Sequence, residues 1–133
     1  MKLGCGLNIA KHDHSYMVVG GLFEFIYKDL MLNFEYATAD GYRGTSNDIT
    51  NQSAEGFYST LAYYVHPKVQ LIGRFDTFDP NKDISNNDIQ EYTLGLNYYV
   101  FGTNMKFSVN YVYRNSEKSA DSNRFFVQTQ FVL

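Results

Sequence analysis

The chain has few of the residues that cross-link a small protein or bind zinc. Among its 133 residues there is one cysteine, Cys5, which excludes an internal disulfide framework and any zinc site made of several cysteines. Charged residues make up only 19% of the chain, and the net charge is −3 with no basic tract. This charge argues against nucleic acid as a partner. The apolar content of 44% argues against disorder, and the length allows one domain at most.

Long apolar runs are missing as well. The longest, Tyr16 to Phe23, holds eight residues, of which two are glycine, whereas a membrane-crossing helix needs about 20. No segment combines a helical period with capping signals. The segment Leu3 to Ile9 alternates in polarity and contains an asparagine, so it lacks the continuous apolar stretch of a secretion signal. We therefore expect either that an export signal has been removed or that the chain is a piece of a longer one.

What the sequence does have is alternation with a period of two. From Met105 to Arg114, apolar and polar side chains alternate for ten residues, which predicts a strand with one apolar and one polar face. Six other segments repeat the pattern: Leu3–Ile9, Met17–Phe25, Leu30–Ala37, Val69–Asp76, Glu91–Val100 and Arg124–Leu133. An eighth strand, Glu55–Val65, is aromatic on both sides, so its apolar face is not fixed by the pattern.

The connections between these strands alternate in length. The short ones are Lys28-Asp29, His66-Pro67-Lys68 and Gly102-Thr103-Asn104, and the long polar ones are 39–54, 79–89 and 115–123. In an up-and-down meander, alternate connections lie at opposite ends, so the short turns share one end and the long loops the other. Short turns on one side and long loops on the other are typical of bacterial outer-membrane barrels. Segments of about ten residues also suit tilted transmembrane strands.

Charge and aromatic placement agree with a membrane barrel. The nine charged residues assigned to strands all fall on the face opposite the apolar one: Lys2, Glu24, Glu35, Arg74, Asp76, Glu91, Lys106, Arg114 and Arg124. A lipid-facing surface should be free of charge, because Arg or Lys at the bilayer midplane costs roughly 2 to 4 kcal/mol. Aromatic residues cluster near both strand ends, where tyrosine suits the membrane interface. The competing interpretation is a soluble sheet with these aromatics in its core.

Several motifs in the second part of the chain carry a family resemblance. They are Gly56-Phe57-Tyr58, Tyr63-Tyr64-Val65-His66-Pro67, the run Leu71 to Asn81 with its Arg74-Phe75-Asp76 and Asp79-Pro80-Asn81, Gly95-Leu96-Asn97-Tyr98-Tyr99 and Val109-Asn110-Tyr111. The region Ala54–Leu133 resembles the C-terminal part of the phosphate-selective porins O and P. The resemblance implies a bacterial outer-membrane channel of sixteen strands that forms homotrimers and passes small anions. One departure is Leu133, where such chains usually end on an aromatic residue.

Eight strands would be half of such a barrel. We expect residues 1–133 to form a single β-barrel domain or the C-terminal segment of a larger barrel. An open half-barrel cannot lie in lipid, because its edge strands would leave backbone groups unpaired. Three outcomes stay open: a fragment of a larger barrel, association with another chain, or closure as an eight-stranded barrel, whose interior side chains would just fill.

The charged face is the candidate pore lining. Its predicted members are Glu24, Glu35, Arg74, Asp76, Glu91, Lys106, Arg114 and Arg124. From Val69 onward this face carries four cationic and two anionic strand residues, a mild bias toward anions. The plainer interpretation is that the charges pair across neighbouring strands, with Arg74 and Glu91 as one expected pair.

Metal sites are weak candidates. Asp79, Asn81 and Asp83 space oxygen ligands as calcium loops do, but Ile84 stands where such a loop has glycine and Gln90 where it has glutamate. His12-Asp13-His14 could supply two imidazoles but no third ligand. No catalytic constellation appears, so we expect neither an enzyme nor a cofactor, and Cys5 is interpreted as a packing residue.

The sequence therefore predicts an outer-membrane porin segment that lets small hydrophilic solutes, anions such as phosphate among them, diffuse passively. Its expected partners are membrane lipids, the rest of the barrel or other copies of the chain. The alternatives are a small closed eight-stranded barrel with a structural or adhesive role, and a soluble lipid-binding barrel, which would turn its apolar face inward around a ligand.

Overall fold

The structure, a computed structural model, describes residues 1–12, 16–40, 53–100 and 104–132. These residues form eight strands: β1 Lys2–His12, β2 Tyr16–Tyr27, β3 Leu30–Asp40, β4 Ser53–His66, β5 Val69–Asp79, β6 Ile89–Tyr99, β7 Met105–Ser116 and β8 Ser122–Phe131. In this part of the chain no helix is long and apolar enough to cross a membrane.

The strands form a single antiparallel sheet in sequence order, from β1 to β8. Each strand pairs with the next along the chain, as in a meander. The predicted all-β antiparallel architecture with about eight strands is confirmed. Over the described residues the sheet is open, with β1 and β8 as its two edges.

The strands of this sheet are long for a globular protein. They run from 10 to 14 residues, where strands of globular proteins usually have about 5 to 6. Most of them exceed the sequence prediction at one or both ends, because the pairing continues into polar residues at the mouths of the loops. Ser53 and Asp40 are an example: they close the β3–β4 ladder and share a 2.9 Å hydrogen bond from the Ser53 hydroxyl to the Asp40 carboxylate.

Two tight turns fix the neighbouring registers at one end of the sheet. Lys28-Asp29 joins β2 to β3, and Lys28 adopts the left-handed backbone with φ of 51° that a two-residue hairpin of this kind requires. Pro67-Lys68 joins β4 to β5, next to a β-bulge between Tyr64 and His66. The predicted turn Gly102-Thr103 and most of the predicted 39–54 loop lie outside the described residues.

The pairing register separates the side chains onto two faces. One, here called the charged face, carries all nine charged strand residues named from the sequence, because cross-strand partners such as Asp76 and Glu91 share a face. The other, here called the apolar face, carries rows such as Leu61, Gly73, Leu94, Tyr111 and Phe125.

The two faces differ in burial. In a soluble sheet the apolar face is the more buried one, whereas here the apolar face is the more exposed one. Among the residues whose burial the structure describes, the buried strand residues all lie on the charged face: Gly20, Ala54, Ala62, Gln70, Asn97, Ser108, Val112 and Ser116. On the apolar face large side chains are exposed, with Leu94 at 69% and Val127 at 70%. The sheet therefore shields its polar side and presents its apolar side to the surroundings.

Strand β4, whose faces the sequence left undecided, follows the same division. Its partners place Tyr58, Thr60 and Ala62 on the charged face, and Phe57 and Leu61 on the apolar face.

A small residue on the charged face also lets β4 and β5 approach closely at Gly56. A Cβ atom added at Gly56 would lie 3.0 Å from the backbone oxygen of Thr77.

A row of neutral polar side chains crosses three strands of the charged face near the short turns. The Ser108 hydroxyl donates to the Asn97 side-chain oxygen at 2.7 Å, and the Asn97 amide donates to the Gln70 oxygen at 2.9 Å. Gln70 also accepts from the Tyr99 hydroxyl at 3.0 Å. Gln70, Asn97 and Ser108 are at most 5% exposed, so these hydrogen bonds satisfy polar groups that would otherwise be costly to bury.

Replacing the central member of this row should destabilise the sheet. Asn97→Ala leaves Gln70 and Ser108 without their buried partner, which we expect to lower the unfolding free energy by about 1 to 3 kcal/mol. The measurement is urea unfolding of the protein in lipid vesicles. Gln130→Ala, an exposed amide on β8, is the matched control and should change stability by less than about 0.5 kcal/mol. Equal losses in the two variants would contradict a stabilising row.

Candidate functional site

Seven side chains form a continuous polar belt across the charged face. The register aligns Glu35, Tyr58, Asp76, Glu91 and Arg114 in one cross-strand row on β3 to β7. Arg74 on β5 and Arg124 on β8 belong to the adjacent row and reach into it. We call these seven residues the belt: Glu35, Tyr58, Arg74, Asp76, Glu91, Arg114 and Arg124.

The β3 side of the belt is organised around Tyr58. Its hydroxyl donates a 2.7 Å hydrogen bond to Glu35. The Arg74 guanidinium lies over the Tyr58 ring, 4.1 Å from the ring centroid, which is a cation–π arrangement. Arg74 also binds the carboxylate of Asp76, which lies two residues further along the same strand. The Arg74 Nε donates to both Asp76 oxygens at 2.9 Å.

The β8 side of the belt is organised around Glu91. Glu91 forms an ion pair with Arg124 across β7, and its Oε1 lies 3.9 Å from the Arg114 Nε. Glu91 is also directly opposite Asp76 on the neighbouring strand. Two carboxylates facing each other are destabilising by themselves; here Arg74 offsets one and the two β7–β8 arginines offset the other.

The expected ion pair between Arg74 and Glu91 is therefore wrong. Arg74 is opposite Thr93, and Asp76 is the residue opposite Glu91. The long loop between β5 and β6 leaves the relative register of these strands open in the sequence. Knowing that β5 and β6 are adjacent was not enough to identify the ion-pair partner of Arg74, because the partner depends on the register.

Comparison with known protein families gives one match. The family model for phosphate-selective porin O and P matches residues 5–133. This chain belongs to that porin family. The match also extends the resemblance, which the sequence motifs supported only from Ala54 onward, through the strands upstream. Searches among curated proteins and among solved structures gave no match.

The other predicted lining residues of this porin-family chain lie on the charged face but outside the belt. Glu24 is opposite Asn33 on β3. Lys106 is opposite Tyr99 on one side and Gln130 on the other. A cavity of about 400 Å³ near the short turns is lined by Lys106 together with two other charged residues, Lys28 and Asp29, and with polar residues such as Gln70 and Asn97. Within the described residues Lys106 has no ion-pair partner, unlike the three belt arginines.

The calcium candidate is engaged in local turns. The Asp79 carboxylate accepts the Asn81 N–H at 2.8 Å, and the Asn81 side-chain oxygen accepts the Asp83 N–H at 3.0 Å. The described part of the chain holds no group of three or more His, Cys, Asp or Glu side chains placed to bind a metal. Asp13 and His14 of the histidine candidate, and the Cys5 side chain, lie outside what the structure describes.

The β5–β6 loop is instead fastened by ordinary polar contacts. The backbone N–H of Lys82 donates to the Ser53 carbonyl at 2.9 Å, and its ammonium pairs with Glu55, also at 2.9 Å. The hydrogen bond to Glu55 raises the pKa of Lys82, because the carboxylate favours the protonated ammonium. At the other end of the loop, partial burial, with Asp79 and Glu117 nearby, raises the pKa of Asp88.

Sequence reasoning missed Tyr58 and the buried polar row. Tyr58 was left out because the aromatic residues of β4 occupy both faces, and the row was missed because its members lie on three different strands. The signal that could have placed Tyr58 is the pair of small residues, Gly56 and Ala62, at the same parity. Neutral amides have no comparable signal, since only the register brings them together.

The contribution of Tyr58 can be separated into its two contacts. Tyr58→Phe removes the hydrogen bond to Glu35 and should lower stability by about 1 kcal/mol. Tyr58→Leu also removes the ring beneath Arg74 and should lower stability by a further amount of about 0.5 to 1 kcal/mol. Both are measured by urea unfolding in vesicles. Tyr98→Phe, on the apolar face, is the matched control; a loss as large as that of Tyr58→Phe would contradict a specific role for the belt hydroxyl.

Proposed function

We propose that this chain is a segment of a bacterial outer-membrane porin through which small hydrophilic solutes diffuse passively. The observation that carries the proposal is the division of the two faces. The apolar face is exposed and carries its charged residues only near the strand ends, as at Glu55. The charged face is the shielded one and holds the belt. A sheet of this kind suits lipid on its apolar side and water on its charged side.

Tyrosines support a membrane boundary near the long loops. On the apolar face, several tyrosine hydroxyls donate to acceptors at or near that end of the sheet: Tyr36 to Glu55 at 2.8 Å, Tyr92 to Gln90 at 3.1 Å and Tyr113 to Asp121 at 2.8 Å. A ring in the apolar region with its hydroxyl among polar groups is the arrangement that tyrosine adopts at membrane interfaces. This pattern favours lipid contact over the inward-facing apolar surface of a soluble lipid-binding barrel.

The two edges of the sheet indicate how the barrel is completed. Since eight strands alternate in direction, β1 and β8 run antiparallel to each other, and any completion by an even number of strands preserves the meander. We propose that residues 1–133 form one segment of a larger barrel, completed by further strands of the same protein or by other copies. The family resemblance suggests sixteen strands and a homotrimer. In lipid, edge pairing is required because unpaired backbone groups cost several kcal/mol each.

A preference for anions such as phosphate is the finer part of the proposal. Its support is the description of the family and the position of Lys106 in the cavity near the short turns. A cation without a carboxylate partner can attract a passing anion, whereas a paired arginine is already neutralised. We therefore place any anion preference of this segment at Lys106 and not in the belt.

The test is channel formation by the full chain. We expect the protein, refolded from denaturant into lipid vesicles, to stay with the membrane after an alkaline wash and to require detergent for extraction. In planar bilayers we expect stepwise conductance, because the charged face would line a water-filled path.

Two results would contradict the proposal. Recovery of the folded protein in the aqueous fraction without detergent would indicate a soluble barrel. Stable membrane insertion without any conductance would indicate a small closed barrel with a structural or adhesive role. Lys106→Gln should leave conductance intact and shift selectivity away from anions, with Lys68→Gln, in the β4–β5 turn, as the charge-matched control.

A further inference from the structure

The belt holds equal numbers of opposite charges in contact with each other. Its three carboxylates are Glu35, Asp76 and Glu91, and its three guanidinium groups are those of Arg74, Arg114 and Arg124. Each guanidinium lies within ion-pair distance of a belt carboxylate. The belt as a whole is therefore neutral, although all six charged groups lie on the face proposed to meet the channel.

These ion pairs limit what an anion could bind in the belt. Arginine recognises phosphate through parallel N–H donors, and Arg74 already uses its Nε and one terminal nitrogen on Asp76. Arg114 and Arg124 share the single carboxylate of Glu91. A phosphate could approach these arginines only by displacing a carboxylate that is held nearby on the same sheet, so the belt is poorly suited to select anions.

The charges are nevertheless separated along the belt. From β3 to β6 it carries three carboxylates and one guanidinium, and on β7 and β8 it carries two guanidiniums. A field directed across the sheet results, from the β8 edge toward β3. A solute that carries an ammonium and a carboxylate on one small molecule can align its dipole with this field without contacting the belt arginines and therefore without displacing an ion pair.

We infer that the belt is a charge-balanced surface that favours zwitterionic solutes and does not select by the sign of the net charge. The inference rests on the proposed channel function and deepens it by naming the class of solute that the belt fits. It also separates two roles on one face: the belt acts on dipolar solutes, and Lys106 acts on anions.

The experiment measures ion selectivity of the full chain in planar bilayers, from the reversal potential in a potassium chloride gradient. Glu91→Gln releases Arg114 and Arg124, and we expect the anion-to-cation permeability ratio to rise about tenfold. One unit charge about 6 Å from an ion in water changes its partitioning about threefold, and the anion and the cation change in opposite directions. Arg124→Gln should shift the ratio the opposite way. Glu55→Gln, which removes the same charge from the apolar face, should leave the ratio unchanged.

A second measurement distinguishes selection for a dipolar solute from selection by the sign of the solute's net charge. Swelling of protein-loaded liposomes compares alanine, a zwitterion, with glycerol, which is neutral. Both Glu91→Gln and Arg124→Gln should lower the alanine-to-glycerol rate ratio, because each removes one of the charges whose separation between β3–β6 and β7–β8 produces the field. A channel that discriminates only by net charge would show no change, since alanine has none.

The outcomes are distinct. The inference is overturned if Glu91→Gln shifts ion selectivity no more than Glu55→Gln, if Glu91→Gln and Arg124→Gln shift it in the same direction, or if the alanine ratio stays at the wild-type value in both belt variants. Should Glu91→Gln fail to insert, Arg124→Gln still tests the predicted direction. Absence of conductance in the wild-type chain would contradict the proposed function itself.

Discussion

The structure depends on one constraint: each strand must keep its side-chain alternation in phase with that of the strands beside it, throughout the eight-stranded sheet. Since side chains in a strand alternate with a period of two, a slip of one residue would exchange the two faces of that strand. In lipid such a slip of β5, β7 or β8 would place Arg74, Arg114 or Arg124 on the lipid side, and Arg or Lys in hydrocarbon costs roughly 2 to 4 kcal/mol at the bilayer midplane. The register that results brings nine charged residues from seven strands onto one face and leaves the other apolar over its middle.

The belt follows from that register. Asp76 and Glu91 are opposite each other because β5 and β6 pair with this alignment, and the arginines of β5, β7 and β8 compensate them. All of these groups are partly exposed, so each ion pair contributes little to stability by itself. Their combined effect is electrostatic: the face is polar, locally neutral, and polarised across the sheet. The buried row of Gln70, Asn97 and Ser108 supplies the hydrogen bonding that stabilises the face nearer the short turns.

Much of the fold could be predicted from the sequence, and the reason is local. Period-two patterns identified seven of the eight strands, and the aromatic segment Glu55–Val65 indicated the eighth without fixing its faces. The short turns at one end give registers that can be counted, as Tyr27 opposite Leu30 follows from the two-residue turn between them. The register of two strands that are joined by a long loop could not be counted in this way. Arg74 was assigned to Glu91 for lack of a register, and Tyr58 was missed because aromatic residues on both sides of β4 obscured its phase. Family membership, in turn, is consistent with the motifs from Gly56 to Tyr111 but reaches further upstream than they do.

The central claim is that the apolar face meets lipid and the charged face meets water. The most direct test places single spin labels along β6, in a chain with Cys5 replaced by serine, and compares collision with oxygen, which concentrates in lipid, and with a water-soluble nickel chelate. Labels at Tyr92 and Leu94 should favour oxygen, and labels at Glu91 and Thr93 should favour nickel. The reverse pattern, or no alternation along the strand, would contradict the account.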